Sequence, residues 1–329
     1  MSQAPRVYFF GTCLIDLIFP QAGLAAMRLL RREGLEVIYP QGQTCCGQPA
    51  YNSGYDAAAR AVARQQLAAF PEDCPILVPS ASCAGMMKVQ YPKLFAGTAD
   101  EERALHLAAR VHELTDYLAR VLDWRRPDLG PPLKVVLHHS CSARREMGVS
   151  GAAADLLARL TNLEVVEPDH AHECCGFGGT FAVKQPEISA AMAADKAAAI
   201  LATGARVLVG KDCGCLLNLG GTLAHRYPQS WEGVGSGVGA GSGPGFGAGS
   251  GTNVASGPGS AFASGCGPGS GAQAAQGAAA DTGSGLTAKG LTAKGLTAKG
   301  LTASPRTLDP QAPVVKHIAE LLWERTHAP

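Results

Sequence analysis

The sequence predicts an α/β protein built from two pseudo-repeated halves with mainly parallel sheets. Short apolar segments alternate with longer amphipathic ones, which is typical of strand–helix units. Cysteines also recur in two sets of four with nearly the same spacing. The first set is Cys13, Cys45, Cys46 and Cys83, and the second is Cys141, Cys174, Cys175 and Cys213. Equivalent cysteines lie 128 to 130 residues apart, which predicts an internal duplication.

The first half, residues 1–126, contains three predicted strands and three predicted helices. The strands cover residues 7–10, 36–39 and 75–79, and the helices cover residues 21–33, 55–70 and 101–123. The last helix is predicted because Leu107, Val111 and Leu114 begin one apolar stripe at steps of four and three residues. A proline-containing segment, residues 127–132, then separates the two halves.

The second half, residues 133–228, repeats this order. Its predicted strands cover residues 134–138, 164–167 and 206–210, and its predicted helices cover residues 152–160 and 186–202. In open parallel sheets, sites form outside the carboxyl ends of the strands. Each cysteine of the two sets follows a predicted strand, so we expect both sets at these sheet edges.

Residues 229–312 are predicted to be a disordered insertion rich in glycine, serine and alanine. The stretch from Gly233 to Gly300 holds 22 of the 41 glycines and ends in repeats of Gly-Leu-Thr-Ala-Lys. Such a composition buries too little apolar surface to offset its ordering entropy. Residues 313–329 are predicted to form a closing helix that belongs to the core, because Val314, Ile318 and Leu321 follow a helical spacing.

The composition favours a globular protein with reduced thiols. The chain is 46% hydrophobic and 17% charged, and its net charge of +1 gives no reason to expect a nucleic-acid partner. No apolar stretch approaches the roughly 20 residues of a transmembrane segment. Asp16 interrupts the apolar run that could resemble a secretory signal. We therefore expect cysteines that are available as metal ligands.

Iron–sulfur clusters are the favoured interpretation of the two cysteine sets. Clusters are commonly held by four thiolates. Zinc is an alternative, but structural zinc sites usually pair cysteines two to four residues apart, whereas each set here contains adjacent cysteines. Redox disulfides are a third interpretation. Gly47 and Gly176 are assigned to cofactor binding, because a glycine after each pair lets the backbone turn sharply around a bulky group.

Other cysteines and histidines lie near the two sets. Cys215 is a further candidate ligand, because Gly214 allows the sulfurs of Cys213 and Cys215 to approach one centre. Cys74 and Cys266 have no counterpart in the duplication and are interpreted as ordinary thiols. Four histidines lie near the second set, namely His138, His139, His170 and His172. For each of them, packing is at least as consistent with the pattern as ligation.

The motifs around the two cysteine pairs resemble the cysteine-rich CCG domain family. They read Cys45-Cys-Gly-Gln-Pro-Ala-Tyr-Asn-Ser-Gly54 and Cys174-Cys-Gly-Phe-Gly-Gly-Thr-Phe-Ala-Val-Lys184. Shorter motifs extend the resemblance, namely Thr12-Cys-Leu-Ile-Asp16, Asp212-Cys-Gly-Cys-Leu216 and His317-Ile-Ala-Glu320. Within the family, they are most similar to the iron–sulfur subunits of lactate-utilisation complexes.

This resemblance implies an oxidoreductase subunit with two iron–sulfur clusters of the [4Fe–4S] type. It also implies a complex with two further subunits, one of them ferredoxin-like, that oxidises L-lactate to pyruvate. The protein is then expected in the cytoplasm, in contact with the inner membrane only through its partners. No catalytic residue is assigned.

The resemblance extends to the iron–sulfur subunit of glycolate oxidase and to the catalytic subunit of heterodisulfide reductase. In the latter, each half ends in a Cys-x-x-Cys motif that supplies a fifth cysteine. Here Met86 and Leu216 occupy the closing positions, and Cys215 lies one residue too early. Two alternative functions therefore stay open: a catalytic subunit that reduces a disulfide or a quinone, and a zinc-stapled interaction protein.

Overall fold

The computed structural model describes residues 4–227 and 313–327, which contain two parallel four-stranded sheets. The first sheet has the order β2-β1-β3-β4, with β1 (Arg6–Phe9), β2 (Glu36–Ile38), β3 (Ile76–Val78) and β4 (Val111–Glu113). The second has the order β6-β5-β7-β8, with β5 (Leu133–His138), β6 (Leu163–Val166), β7 (Val207–Gly210) and β8 (Val314–His317). Both sheets thus have the same strand order, and the predicted α/β class is confirmed.

Thirteen α-helices accompany these strands in the described residues. Those of the first half are α1 (Cys13–Leu17), α2 (Pro20–Arg32), α3 (Gln48–Asn52), α4 (Asp56–Ala69), α5 (Ala81–Gly85), α6 (Tyr91–Leu94), α7 (Glu101–Arg110) and α8 (Leu114–Asp116). Those that follow are α9 (Ser150–Ala158), α10 (Phe181–Lys184), α11 (Pro186–Ala202), α12 (Cys213–Arg226) and α13 (Ile318–Thr326). Three π-helical turns also occur, at Met86–Gln90, Tyr117–Val121 and Ser142–Glu146.

Alternate residues of the strands divide the apolar interior into separate cores, because successive side chains of a strand point to opposite faces. In β1, Val7 packs in a core that the two halves share, whereas Tyr8 packs in a core of the first half with α4 and α7. In β5, Val135 joins the shared core, and Val136 packs against α11 and α12. The two sheets are therefore joined through one common hydrophobic layer.

The single helix predicted for residues 101–123 is wrong. Helix α7 ends at Arg110, and the chain then forms β4 before it turns helical again. The apolar stripe fits both structures, but Val111 pairs with Ile76 on the edge of the first sheet. The carboxylate of Glu113 accepts hydrogen bonds from the backbone N–H groups of Thr115 and Asp116 and so restarts the helix.

The closing segment also differs from its prediction. Residues Val314–His317 pair with β7 as a strand, and the helix begins only at Ile318. His317 caps this helix by accepting from the N–H of Ala319, and Glu320 completes a capping box. Sequence reasoning also missed α12, which follows the last cysteines of the second set.

The strand-and-cap pattern shows that the duplication extends to the closing segment. Glu113 and His317 are equivalent, since each ends the fourth strand of its sheet and caps the next helix. The path from the N-cap Ser80 to Glu113 spans 33 residues, whereas the path from the N-cap Asp212 to His317 spans 105. The second half is therefore 72 residues longer here. The segment predicted as an insertion, residues 229–312, and its Cys266 lie outside the described residues.

Buried polar contacts attach the closing segment to the rest of the core. The guanidinium of Arg325 lies 2.7 Å from the carboxylate of Asp128, and both side chains are buried. Arg325 also donates to the carbonyl of Pro131 at 2.6 Å, and Arg32 of α2 donates to the hydroxyl of Thr326 at 2.6 Å. Among the described helices, none is both long and apolar enough to cross a membrane.

Candidate metal centres

Each cysteine pair lies on a backbone turn that only glycine accommodates easily. Gly47 and Gly176 have φ angles of 87° and 84°, in the left-handed region that L-residues rarely adopt. A Cβ on Gly176 would lie 2.6 Å from the carbonyl oxygen of Ser189, and one on Gly47 would lie 3.3 Å from that of Ala59. The same close approach of turn and helix therefore recurs in both halves.

The first set converges as the sequence predicts. The sulfurs of Cys13 and Cys45 are 3.9 Å apart, and those of Cys46 and Cys83 are 3.5 Å apart. The phenol of Tyr91 donates to the carbonyl of Cys46 at 2.8 Å and so fixes the turn. Four thiol groups from three separate chain segments thus meet at the carboxyl edge of the first sheet.

The second set forms a similar group with one change of member. The sulfurs of Cys175 and Cys215 lie within 4.8 Å of each other, and the thiol of Cys141 contacts Cys174. The side-chain amide of Asn218 donates to the carbonyl of Cys175 at 2.8 Å. Asn218 therefore holds the second turn as Tyr91 holds the first.

In each pair the first cysteine is stabilised as a thiolate. The neighbouring thiol of Cys13 lowers the pKa of Cys45, and that of Cys141 lowers the pKa of Cys174. Backbone amides act in the same direction, since the N–H of Gly47 and that of Gly176 each donate to the first sulfur of the pair at 3.4 Å. An anionic sulfur is the form that binds metal.

Helix register shows that Cys215, and not Cys213, is the counterpart of Cys83. Cys83 is the third residue of α5, and Cys215 is the third residue of α12. Cys213 is the first residue of α12 and therefore corresponds to Ala81. Its thiol is only 1% exposed, and burial raises its pKa. The structure thus brings Cys215 to the second set and leaves Cys213 between the two halves.

His138 is a member of the second group that sequence reasoning did not select. One of its ring nitrogens and the sulfurs of Cys175 and Cys215 all lie within 4.8 Å of one another. Burial lowers the pKa of His138 to about 3, so that its ring is neutral. Its position three residues before Cys141 was visible in the sequence, but nothing distinguished it there from a packed histidine.

The two groups also differ in a buried side chain beneath each pair. Lys196 lies seven residues beyond Ser189, and Gln66 lies seven beyond Ala59, so the two are equivalent. Lys196 is 1% exposed and donates to the carbonyl of His170 at 2.7 Å. Gln66 donates instead to the hydroxyl of Thr44 at 2.6 Å. A buried amine therefore accompanies only the second group.

A buried ion pair connects the loops that carry the two groups. The ammonium of Lys211 lies 3.0 Å from the carboxylate of Glu113, and it also donates to the carbonyl of Val149 at 2.8 Å. At the equivalent place in the other half, the ring of His317 contacts the carbonyl of Pro79 at 2.8 Å. These reciprocal contacts indicate an approximate twofold relation between the halves.

The remaining candidate residues lie apart from both groups. The carbonyl of Cys74 accepts from Arg110 on the far side of the first sheet. His139 and His170 lie near the carboxylates of Glu167 and Glu173. Soft sulfur donors suit iron–sulfur clusters, zinc and copper(I). The clustered cysteines therefore fit a metal or iron–sulfur centre in each half.

Comparison with known proteins agrees with this arrangement. The cysteine-rich domain family CCG matches residues 7–88 and 135–220, which are the two halves that carry the cysteine sets. Lactate utilization protein A 2 of Bacillus cereus (strain 03BB102) is 43% identical over 225 residues, or 67% of this chain and 92% of the relative. Lactate utilization protein A of Geobacillus kaustophilus (strain HTA426) is 45% identical over 222 residues, or 67% and 92%.

Proposed function

The chain belongs to the cysteine-rich (CCG) domain family, and we propose that it is an iron–sulfur electron-transfer subunit of a lactate-utilisation system. The observation that carries this proposal is the convergence of two thiol sets, each at the carboxyl edge of a parallel sheet. The names of its relatives supply the metabolic context.

The donor sets favour a cluster over a single structural ion. Each group gathers four thiols from three chain segments, with a glycine turn that leaves room for a bulky cofactor. We assign Cys13, Cys45, Cys46 and Cys83 to one [4Fe–4S] cluster, and Cys141, Cys174, Cys175 and Cys215 to another. Bound clusters of this kind accept and donate electrons at potentials that charge, hydrogen bonds and exposure set.

The protein's own groups would hold and tune these clusters. The amides of Gly47 and Gly176 donate to cysteine sulfur, which stabilises the thiolate form. Tyr91 and Asn218 fix the two turns through the backbone carbonyls of Cys46 and Cys175. Because these donors are already in place, cluster binding requires little rearrangement of the turns.

The proposal includes a complex with two further subunits, one ferredoxin-like, in which L-lactate is oxidised to pyruvate. The thiols in the described residues are free, which fits a reducing compartment such as the cytoplasm. The two halves, residues 1–126 and 133–228, are proposed as duplicated cluster-binding units. Residues 229–312 are proposed as an insertion into the second.

Anaerobic purification followed by iron and acid-labile sulfide analysis tests the cofactor. We expect about eight iron and eight sulfide per chain, as two [4Fe–4S] clusters require. A colourless protein with zinc and no sulfide would favour the zinc-stapled alternative. The metabolic role is tested by adding L-lactate to the reconstituted complex, with D-lactate as control. Only L-lactate should reduce the clusters, as followed by EPR.

A further inference from the structure

His138 is buried at the end of β5 with no hydrogen-bond partner on either ring nitrogen among the described residues. It is 2% exposed, and the apolar core of the second half surrounds the strand that carries it. Buried polar side chains in folded proteins almost always have a partner. The arrangement of this imidazole therefore requires an explanation beyond packing.

Another buried histidine in the same chain shows the usual arrangement. His317 is fully buried, and one ring nitrogen lies 2.8 Å from the carbonyl of Pro79. Its other ring nitrogen accepts from the N–H of Ala319 at 3.2 Å. This fold thus satisfies a structural histidine at both nitrogens, and His138 is the contrasting case.

The surroundings of His138 indicate what its partner is. A ring nitrogen and the sulfurs of Cys175 and Cys215 lie within 4.8 Å of one another. Metal–nitrogen bonds of about 2.0–2.1 Å and metal–sulfur bonds of about 2.3 Å place two ligand atoms of one ion up to about 4.4 Å apart. The three atoms therefore need to move by only a few tenths of an ångström to share an ion.

The first group has no equivalent donor among the described residues. The hydroxyls of Thr12 and Ser140 accept from the N–H groups of Ile15 and Ala143 in the same way, which aligns the two strand ends. Phe10 then occupies the position of His138. The second group accordingly combines four thiols with an imidazole, and the first has the four thiols alone.

We propose that His138 is a metal ligand of the second centre and that it binds the same metal as Cys175 or Cys215. Where that metal is an iron of a four-iron cluster, five protein donors place two ligands on one iron. The inference rests on the proposed function to the extent that the metal is iron. Replacement of thiolate by imidazole raises the potential of an iron–sulfur cluster. The second centre is thus expected to have the higher potential.

Pulsed EPR of the full chain, purified anaerobically with ¹⁴N- or ¹⁵N-labelled histidine, tests this assignment. We expect one of the two cluster signals to carry a strongly coupled, directly bound nitrogen whose frequencies change with the isotope. The coupling should be absent from His138→Gln and unchanged in His139→Gln, because His139 pairs with Glu167 at 3.0 Å. The wild-type measurement does not depend on the folding of either variant.

A second variant keeps a metal ligand at the position. His138→Cys should retain the iron of both clusters, lose the nitrogen coupling and lower the potential of one cluster. Two clusters without a strong nitrogen coupling, or a coupling that persists in His138→Gln, would overturn the assignment while leaving the proposed function intact. If the chain holds zinc instead, the proposed function fails. Cobalt(II) substitution then tests His138 directly, since the ligand-field spectrum should change in His138→Gln, and an unchanged spectrum would refute ligation.

Discussion

The hydroxyl of Ser80 donates a 2.8 Å hydrogen bond to the carboxylate of Asp212. These residues are equivalent, since each is the N-cap of the helix that carries the last cysteine of its set. Equivalent residues that touch each other lie on the axis that relates the two halves. The same carboxylate oxygen accepts from the N–H of Ser82 at 2.9 Å. One side chain therefore fixes the two helix starts, and with them Cys83 and Cys215, relative to each other.

Replacing Asp212 by alanine is expected to loosen this connection. The change leaves the Ser80 hydroxyl and the Ser82 amide without their buried acceptor, and hydrogen bonds to charged groups contribute about 1.5–3 kcal/mol. We expect the free energy of unfolding to fall by about 2–3 kcal/mol, measured by anaerobic urea denaturation. Magnetic interaction between the clusters should also weaken in EPR. Asp212→Asn keeps one acceptor oxygen and serves as the milder control, and equal losses in both variants would contradict this role.

The ion pair between Asp128 and Arg325 is expected to make stability depend on pH. Burial alone raises the pKa of Asp128, but hydrogen bonds from Arg325, Asn162 and Gly130 outweigh it and lower the pKa below its usual value. A depressed folded-state pKa stabilises the protein above the unfolded value of about 3.9, and this stabilisation is lost as the pH falls through the folded value.

Asp128→Asn tests this pair and the attachment of the closing segment. Breaking a buried pair typically costs about 3–5 kcal/mol. We expect a loss of about 3 kcal/mol at pH 7, followed by tryptophan fluorescence during urea unfolding. The difference between wild type and variant should shrink below about pH 4, as Asp128 becomes protonated. A difference that stays constant with pH would mean that the charge of Asp128 does not contribute.

The buried amine of Lys196 is expected to raise the potential of the second centre only. A positive charge about 8–15 Å from a cluster, at an effective dielectric constant near 20, contributes on the order of 1–2 kcal/mol. Lys196→Met should therefore lower one midpoint potential by roughly 40–90 mV in an EPR-monitored redox titration. Gln66→Met is the matched control in the first half and should leave both potentials nearly unchanged. Equal shifts in the two variants would exclude a charge effect.

The sequence predicted the fold class and most of the site because both depend on short-range pattern. Apolar strands such as residues 134–138, and the spacing of Cys13 from Cys45, report directly on strand ends and on the duplication. Residues 111–113 were assigned to a helix because the same apolar residues fit a helical stripe and an edge strand. Only pairing with β3 decides between these structures.

The equivalence of the last cysteines failed for a different reason. Cysteine intervals align Cys83 with Cys213, whereas the positions of the two helix N-caps align it with Cys215. The interval misleads because the second half has extra residues between its pair and its last helix, which a cysteine count absorbs without trace. His138 was also beyond reach, since its lack of partners is a property of the folded interior.

Substitutions at Cys213 and Cys215 distinguish the two alignments. Cys215→Ser replaces a soft thiolate by a hard hydroxyl at the position equivalent to Cys83, and we expect about four iron per chain to be lost together with one cluster signal. Cys213→Ala should retain the iron of both clusters, because the first half already has an alanine, Ala81, at the equivalent position. Cys74→Ser, outside both groups, controls for the loss of a thiol as such. Loss of a cluster in Cys213→Ala with full retention in Cys215→Ser would restore the alignment by cysteine intervals and move Cys213 into the second centre.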